Sequence, residues 1–194
     1  MRNMRKIILA SASPRRKEIL EKTGLKFIVD ESDYEEDNSI AKKPALLAVL
    51  HARAKAHSVA VRNKNAVVIS ADTIVISGKV IFGKPRSKAE AFRMLKALSG
   101  RTHTVITGFT ILDTESEKEL SKAVESKVTF RRLSDAEIRA YINSGEPMDK
   151  AGAYGVQGLG AAIVRRIEGD FFNVMGLPLS EVVEALKKFD LKVL

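Results

Sequence analysis

One aspartate lies where a charge is costly. Asp72 falls within the apolar run AVVISADTIVI, residues 66–76, whose composition predicts a buried strand. A carboxylate in such surroundings is unfavourable unless it is paired with a cation, bound to a metal ion or part of a catalytic site. The structural alternative is an aspartate at the end of a strand, facing water or capping a neighbouring element. Asp72 is therefore the first candidate catalytic residue.

The segment SASPRR, residues 11–16, has the character of an anion-binding site. Ser13 is a good N-cap and Pro14 suits the first position of a helix, so free backbone amides are expected here. Such amides and the helix dipole favour an anion, and the guanidinium groups of Arg15 and Arg16 can bind oxygens in a bidentate manner. The alternative is a capped helix on the surface.

The stretch GKVIFGKP, residues 78–85, superficially resembles a phosphate-binding P-loop. Val80, Ile81 and Phe82 favour an extended strand, whereas a P-loop needs a flexible glycine-rich turn. Pro85 stands where the Mg²⁺-binding hydroxyl should be, and no helix is expected before residue 87. The motif is therefore not a P-loop, and Lys84 remains either a phosphate-binding lysine or a solvated surface residue.

The residue types limit the metals and partners that the chain can bind. With no cysteine and three histidines, none spaced as a helical metal-binding pair, a metal would have to be held by carboxylates, which favours Mg²⁺ or Mn²⁺. The net charge of +9 suits a polyanion, but the 6% of aromatic residues provides no stacking platform, so nucleic acid is an unlikely partner. No apolar run approaches the roughly 18 residues of a membrane span, and we expect a cytoplasmic protein without a membrane partner.

The elements that must position these residues alternate along the chain. Hydrophobic patterns predict strands over 6–11, 27–31, 66–76, 80–82, 102–112, 120–130 and 161–167. They predict helices over 14–23, 44–61, 88–99, 135–144 and 178–189, and capping boxes at Ser87 with Glu90 and at Ser134 with Glu137. The fold class is therefore mixed α/β (α+β). Hairpins, such as the one expected between 66–76 and 80–82, argue against a purely parallel doubly wound sheet. The 194 residues are expected to form a single domain.

Several motifs together resemble one known family. They are SASPRRKEIL at 11–20, SADT at 70–73, FGKP at 82–85, LSGRTH at 98–103, EPMDKAGAYGVQG at 146–158 and NVMGLPL at 173–179. Their order and spacing are similar to those of the Maf family of nucleotide pyrophosphatases, also described as septum-formation inhibitors, and in detail to its dTTP/UTP pyrophosphatase branch. The resemblance extends over almost the whole chain. It implies a Maf/ITPase-like fold, a twisted mixed sheet flanked by helices with two lobes around a central cleft.

The resemblance also implies an activity and a set of site residues. The activity is hydrolysis of a nucleoside triphosphate between the α and β phosphates with a divalent metal cation. Asp72 takes the family's general-base position, and it could equally bind the metal. The positions tied to base choice are Arg15, Thr73 and Gln157. The positions around the triphosphate are Ser11, Arg16, Lys55 and Lys84, and Glu35 is an acidic residue that would help to hold the metal.

The chemistry of these residue types agrees with the implied activity. Phosphoryl transfer depends on positioning and charge stabilisation, so it needs cations around the phosphates and one carboxylate near the attacking water. Gln157 offers one acceptor and two donors, which can meet O4 and N3–H of uracil or thymine, whereas cytosine reverses that pattern. The structural alternative is a glutamine bonded to the backbone of its glycine-rich loop.

Two other functions stay open at this point. One is the same reaction on modified or methylated nucleotides. The other is a regulatory binding protein that acts on cell division or binds nucleic acid through its basic surface, without hydrolysis. A homodimer is also compatible with the sequence.

Overall fold

The structure, a computed structural model, describes residues 5–37 and 43–193. The strands are β1 Lys6–Leu9, β2 Ile28–Val29, β3 Ala66–Ser77, β4 Val80–Phe82, β5 Thr102–Asp113, β6 Glu119–Phe130 and β7 Val164–Glu168. The α-helices are α1 Pro14–Glu21, α2 Pro44–Ala60, α3 Lys88–Leu98, α4 Asp135–Asn143, α5 Phe171–Met175 and α6 Leu179–Lys187. Short 3₁₀ helices cover Glu146–Asp149, Ala151–Ala153 and Gly158–Ala162. In these ranges no helix combines the length and apolar composition that a bilayer crossing requires.

The strands form a mixed sheet, which confirms the predicted fold class. Its order is β2-β1-β3-β5-β6-β7, and β4 pairs with β3. β1 runs parallel to β2 and to β3, with Lys6 opposite Ala66 and Leu9 opposite Ile69. β4 is antiparallel to β3, and β7 is antiparallel to β6. These antiparallel pairs confirm the prediction that the sheet is not purely parallel.

The chain divides into two compact units. The first contains the described parts of Met1–Asp72, Thr107–Val124 and Gly176–Leu194, and the second contains Thr73–Ile106 and Glu125–Met175. This agrees with the two lobes that the resemblance implies, while the cleft stays a prediction. The strands β3, β5 and β6 each contribute residues to both units.

The core of the first unit forms where α2 packs on the sheet. Small and branched side chains fill this contact because alanine on the helix lets it approach the strands closely. At Gly108 on β5 an added Cβ would lie 2.4 Å from the carbonyl carbon and oxygen of Ala48. Only glycine permits this backbone contact. The cluster consists of Ile8, Ala10, Ala56, Val59, Ala66, Val68 and Leu112.

The second unit has an aromatic core. The rings of His103, Phe130 and Tyr154 meet edge to face, with centroid distances of 4.6 to 5.3 Å. Edge-to-face packing is the favourable arrangement for such rings because the positive edge of one meets the negative face of another. Tyr154 is thus a buried packing residue.

The predicted helix starts are mostly confirmed, whereas one predicted capping box and one predicted strand are corrected. Ser13 caps α1, and Ser134 with Glu137 forms a complete capping box on α4. Ser87 caps α3, but the carboxylate of Glu90 accepts from the amide of Arg86, so the predicted box is only half formed. The strand predicted over 161–167 begins only at Val164, because residues 158–162 form a 3₁₀ helix.

Candidate active site

A buried ion pair between Asp72 and Lys55 is the centre of the candidate site. Asp72 lies on β3 and is only 5% exposed. Nζ of Lys55, on α2, lies 2.7 Å from Oδ1 of Asp72 and 2.6 Å from Oε1 of Glu36. Two contacts hold α2 on the sheet. One is the close approach at Gly108 of β5, and the other is a hydrogen bond from Oγ of Ser70, on β3, to the carbonyl of Ala52 at 2.6 Å. The fold therefore holds Lys55 against Asp72.

The charges around Asp72 keep it ionised. Burial is the largest influence on the pKa of Asp72 and by itself would raise it. The positive charges of Lys55 and Arg16 outweigh burial together with the hydrogen bond from Lys55, so the pKa of Asp72 is held below its ordinary value. At neutral pH this side chain is an ionised carboxylate in a largely water-excluded position.

Arg16 and Ser11 lie at the start of α1, as the segment SASPRR predicted. The amide of Arg16 donates to Oγ of Ser13 at 3.5 Å, and Nη1 of Arg16 donates to Oγ of Ser11 at 3.2 Å. Nε of Arg16 donates to the carbonyl of Gly176 at 2.8 Å. The guanidinium group is therefore fixed in direction at a helix N-terminus, where an anion is stabilised.

The charges of Asp72, Glu36 and Arg15 all affect the pKa of Arg16. Burial lowers the pKa of Arg16, while the negative charges of Asp72 and Glu36 oppose that shift and Arg15 adds to it. Arg15 and Arg16 are both half-buried. The first unit thus brings together five predicted site residues, namely Ser11, Arg15, Arg16, Lys55 and Asp72.

Sequence reasoning missed Glu36. Glu35, the predicted acidic residue, and its neighbour Glu36 are both exposed, and Glu36 is the one that pairs with Lys55. The segment has no regular secondary structure, so its residue periodicity gave no signal for which side chain faces Lys55. Glu35 stays a prediction as a metal ligand.

Tyr34 and His51 were also missed. The hydroxyl of Tyr34 lies 3.1 Å from Nδ1 of His51, which is fully buried. Burial raises the pKa of Tyr34, and the charges of Asp37, Glu36 and Asp72 raise it further. A signal was present, because His51 and Lys55 are four residues apart and therefore share one face of α2.

Asp72 and Glu36 fit a metal ion that takes its remaining ligands from a bound substrate. In the described part of the chain no group of three or more His, Cys, Asp or Glu side chains could hold a metal ion alone. Asp72 and Glu36 nevertheless share the Lys55 ammonium group, so two carboxylates already converge on one cation. Mg²⁺ is commonly bound by one or two carboxylates together with substrate phosphates, which matches this donor set.

The remaining predicted residues belong to the second unit. Thr73 follows Asp72 on β3 and is half-buried. Lys84 is exposed just after β4, and the carbonyl of the preceding Gly83 accepts from the amide of Gly152 at 3.0 Å. Gln157 is half-buried and extended, directly before the 3₁₀ helix Gly158–Ala162. Their roles in phosphate binding and base choice stay predictions.

The first unit defines a class of protein. A buried, ionised carboxylate beside a lysine, with an arginine at a helix N-terminus, is the arrangement expected of an enzyme that positions a phosphorylated substrate. Residues 6–189 match the family model described as Maf-like protein. The chain therefore belongs to the Maf family, which confirms the assignment made from its motifs.

Relatives of high similarity cover nearly the whole chain. A protein of Methanosarcina barkeri named dTTP/UTP pyrophosphatase is 50% identical over 186 residues, which is 95% of this chain and 94% of that protein. A protein of the same name from Thermoanaerobacter sp. is 51% identical over 191 residues, 97% of this chain and 100% of that protein. Another from Geobacter sulfurreducens is 49% identical over 183 residues, with coverage of 94% and 96%.

Proposed function

We propose that this chain hydrolyses dTTP and UTP to the nucleoside monophosphate and pyrophosphate. The name dTTP/UTP pyrophosphatase, borne by relatives about half identical over nearly full length, supports the substrate and the reaction class. The structural observation that carries the proposal is the Asp72 carboxylate, buried and kept ionised by Lys55 and Arg16. A carboxylate with a low pKa and cationic neighbours suits the handling of water next to a polyphosphate.

In the proposed reaction, a water oxygen forms a bond to the α-phosphorus. The bond from that phosphorus to the bridging oxygen breaks, and its electron pair leaves with pyrophosphate. Asp72 accepts a hydrogen bond from the water, orients it in line with the leaving group and takes its proton or passes it to solvent. Because the pKa of Asp72 is held below its ordinary value, we propose that Asp72 acts mainly by orienting the water.

The cations of the first unit would stabilise the charge that moves onto the phosphate oxygens. An ammonium group has three N–H donors, and among the described residues those of Lys55 meet two acceptors, on Asp72 and Glu36. The third donor is available for a phosphate oxygen. Arg16 and the amides at the start of α1 would bind further oxygens, with Ser11 keeping the guanidinium in place.

A divalent cation, Mg²⁺ or Mn²⁺, belongs to the proposal. Asp72 would hold it together with Glu35, as the family resemblance implies, or with Glu36, which the structure places on Lys55. When bound, the cation would neutralise phosphate charge and make the water more acidic. In the second unit, Lys84 is the further phosphate-binding residue that we propose.

Base choice is assigned to Arg15, Thr73 and Gln157. Gln157 can donate to O4 and accept from N3–H of uracil or thymine, and cytosine offers the reverse pattern. A site that uses such hydrogen bonds discriminates strongly because the wrong base leaves polar groups unpaired.

A nucleotide panel tests the reaction. We expect turnover of dTTP and UTP with Mg²⁺ to exceed that of CTP, GTP and 7-methyl-GTP, with monophosphate and pyrophosphate released in equal amounts. In H₂¹⁸O the label should enter the monophosphate, since the water attacks the α-phosphorus. Label in pyrophosphate, or release of a diphosphate with orthophosphate, would contradict the proposed bond. Salt-dependent DNA binding without hydrolysis of any nucleotide would favour the regulatory alternative.

A further inference from the structure

The carboxylate of Glu146 accepts hydrogen bonds from two backbone amides of the loop that carries Gln157. Its Oε2 accepts from the amide of Leu159 at 2.9 Å, and its Oε1 accepts from the amide of Gly160, also at 2.9 Å. These amides lie two and three positions after Gln157. One side chain therefore fixes the segment that follows the glutamine.

Tyr141 extends this support to the segment before Gln157. Its hydroxyl donates to Oε1 of Glu146 at 2.8 Å and accepts from the amide of Gly155 at 3.1 Å. Tyr141 is 6% exposed and lies on α4, so its ring is held by the core of the second unit. Gln157 is thus bracketed on both sides by a single Tyr141–Glu146 pair.

Two glycines of this loop, Gly158 and Gly160, leave no space for a side chain. A Cβ at Gly160 would lie 2.1 Å from the carbonyl oxygen of Gly155 and 2.6 Å from the hydroxyl of Tyr141. A Cβ at Gly158, whose φ is +61°, would lie 2.6 Å from Oε2 of Glu146. Both glycines are needed for close approach, and at Gly158 also for the backbone angle.

The protonation state of Glu146 agrees with its three bonds. Burial, the largest influence, would raise its pKa, but the hydrogen bonds from Tyr141, Gly160 and Leu159 outweigh it and the pKa of Glu146 lies below its ordinary value. An ionised carboxylate accepts hydrogen bonds at both oxygens, and an amide side chain at the same place can do so at only one.

We infer that Glu146, acting with Tyr141, is a positioning residue for base selection. The pair holds the backbone on either side of Gln157, so that its amide is presented to the pyrimidine in one orientation. This inference rests on the proposed function, in which Gln157 recognises the base. It assigns to Glu146 no contact with the nucleotide.

The test compares kcat/KM for UTP and CTP in matched variants. Glu146→Gln keeps the shape of the side chain and should lower the UTP/CTP ratio about tenfold, since a misplaced hydrogen-bonding group loses discrimination. Tyr141→Phe should lower it in the same direction and provides a second variant in case Glu146→Gln unfolds. The control is Glu137→Gln, because Glu137 also accepts from a backbone amide, that of Ser134, but caps α4 instead of holding the loop.

Double variants separate positioning from general destabilisation. If Glu146 acts through Gln157, adding Gln157→Ala to Glu146→Gln should lower the ratio by less than about threefold further, because coupled residues are not additive. Thermal unfolding of all variants measures the purely structural cost, which Glu137→Gln should share while keeping the wild-type ratio.

Two outcomes would overturn the inference. If Glu146→Gln and Tyr141→Phe keep the ratio while Gln157→Ala lowers it, Glu146 does not position the base reader, although the reader itself stands. If Gln157→Ala keeps the ratio as well, base reading by Gln157 fails and the inference fails with it. In either case UTP hydrolysis by the wild-type chain still tests the proposed reaction separately.

Discussion

The two units hold their candidate functional residues in different ways. In the first, charges support one another: Lys55 joins Asp72 and Glu36, and Arg16 adds to their field. In the second, Glu146 holds a loop through backbone amides, at glycines with no space for a side chain. The first arrangement responds to changes of charge and pH, and the second to changes of shape. Variants of each kind should therefore have separable effects.

The largest effect is expected from removal of the central charge. Asp72→Asn should reduce kcat for UTP about 10³-fold, within the range for a residue that orients or deprotonates water. The matched control is Asp113→Asn, because Asp113 is also buried and paired with a basic residue, Arg5, at 2.6 Å in the same unit. That variant should lose stability and keep kcat. Equal losses of kcat in both variants would remove Asp72 from the reaction.

Removal of Lys55 should have the next largest effect. Lys55→Met removes a positive charge that opposes the effect of burial on Asp72. The pKa of Asp72 should therefore rise, and kcat/KM at neutral pH should fall about 10²-fold. In the wild type the ionised Asp72 contributes stability that is present above the unfolded pKa of about 4 and is lost as pH falls through its lower folded pKa.

The pH profile checks this second prediction. The acid limb of kcat/KM should move to higher pH in Lys55→Met, because the active form of Asp72 is the ionised one. Lys122→Met is the control, since Lys122 also forms a 2.6 Å ion pair, with Glu181, but on the surface. An unshifted acid limb in Lys55→Met would mean that Lys55 does not set the ionisation of Asp72.

A change of shape tests the second unit. Gly160→Ala would place its Cβ 2.1 Å from the carbonyl oxygen of Gly155, so the loop must move. We expect a loss of about 3 kcal/mol in the free energy of unfolding, as for overpacked sites, and a lower UTP/CTP ratio. Gly83→Ala is the control because, apart from Gly83 and its two chain neighbours, no described atom lies within 4 Å of the added Cβ. Urea unfolding of both variants measures the difference, and equal stability would contradict the tight packing of the loop.

Local patterns predicted the elements whose ends are set by local contacts. Ser134 and Ser87 both cap the helices predicted after them, and at Ser134 both bonds of the capping box form. At Ser87, with the same spacing, Glu90 accepts from the amide of Arg86 instead, so local spacing predicts the helix start better than the complete box. The strand expected over 161–167 began late, since Glu146 binds the amides of Leu159 and Gly160 from 13 and 14 residues away. A propensity for strand in the sequence carries no information about such a distant acceptor.

The same limit applies to the candidate site. Asp72 could be identified because a charge in an apolar run is unusual, and Arg16 because a helix start accompanies it. Glu36 could not be chosen over Glu35, since an irregular segment has no periodicity to tell which side chain faces Lys55. His51 differs from Glu36, because its spacing of four residues from Lys55 on α2 predicts that the two side chains share one face of the helix.

His103 provides the smallest expected effect and a second type of pH sensitivity. It is 2% exposed, and its Nε2 lies 2.7 Å from the hydroxyl of Tyr154. Among the polar side-chain atoms that the structure describes, its Nδ1 is buried without a hydrogen-bond partner. Burial lowers the pKa of His103 to about 4, so the ring is neutral in the folded chain at neutral pH.

The consequence is a loss of stability in mild acid. Below pH of about 6.5, His103 becomes protonated in the unfolded chain but stays neutral in the folded chain. The free energy of unfolding therefore falls as pH drops from there towards about 4. His103→Phe removes the group that takes up this proton and keeps an aromatic ring against Phe130. The stability of the variant should therefore depend less on pH. We expect the loss between pH 7 and pH 4.5 to be smaller by about 2 kcal/mol than in the wild type, measured by urea unfolding at both values. An unchanged loss would mean that His103 is protonated in the folded chain. Since this histidine lies among neutral groups of the second unit, kcat/KM of the variant should keep the acid limb that Lys55 and Asp72 set.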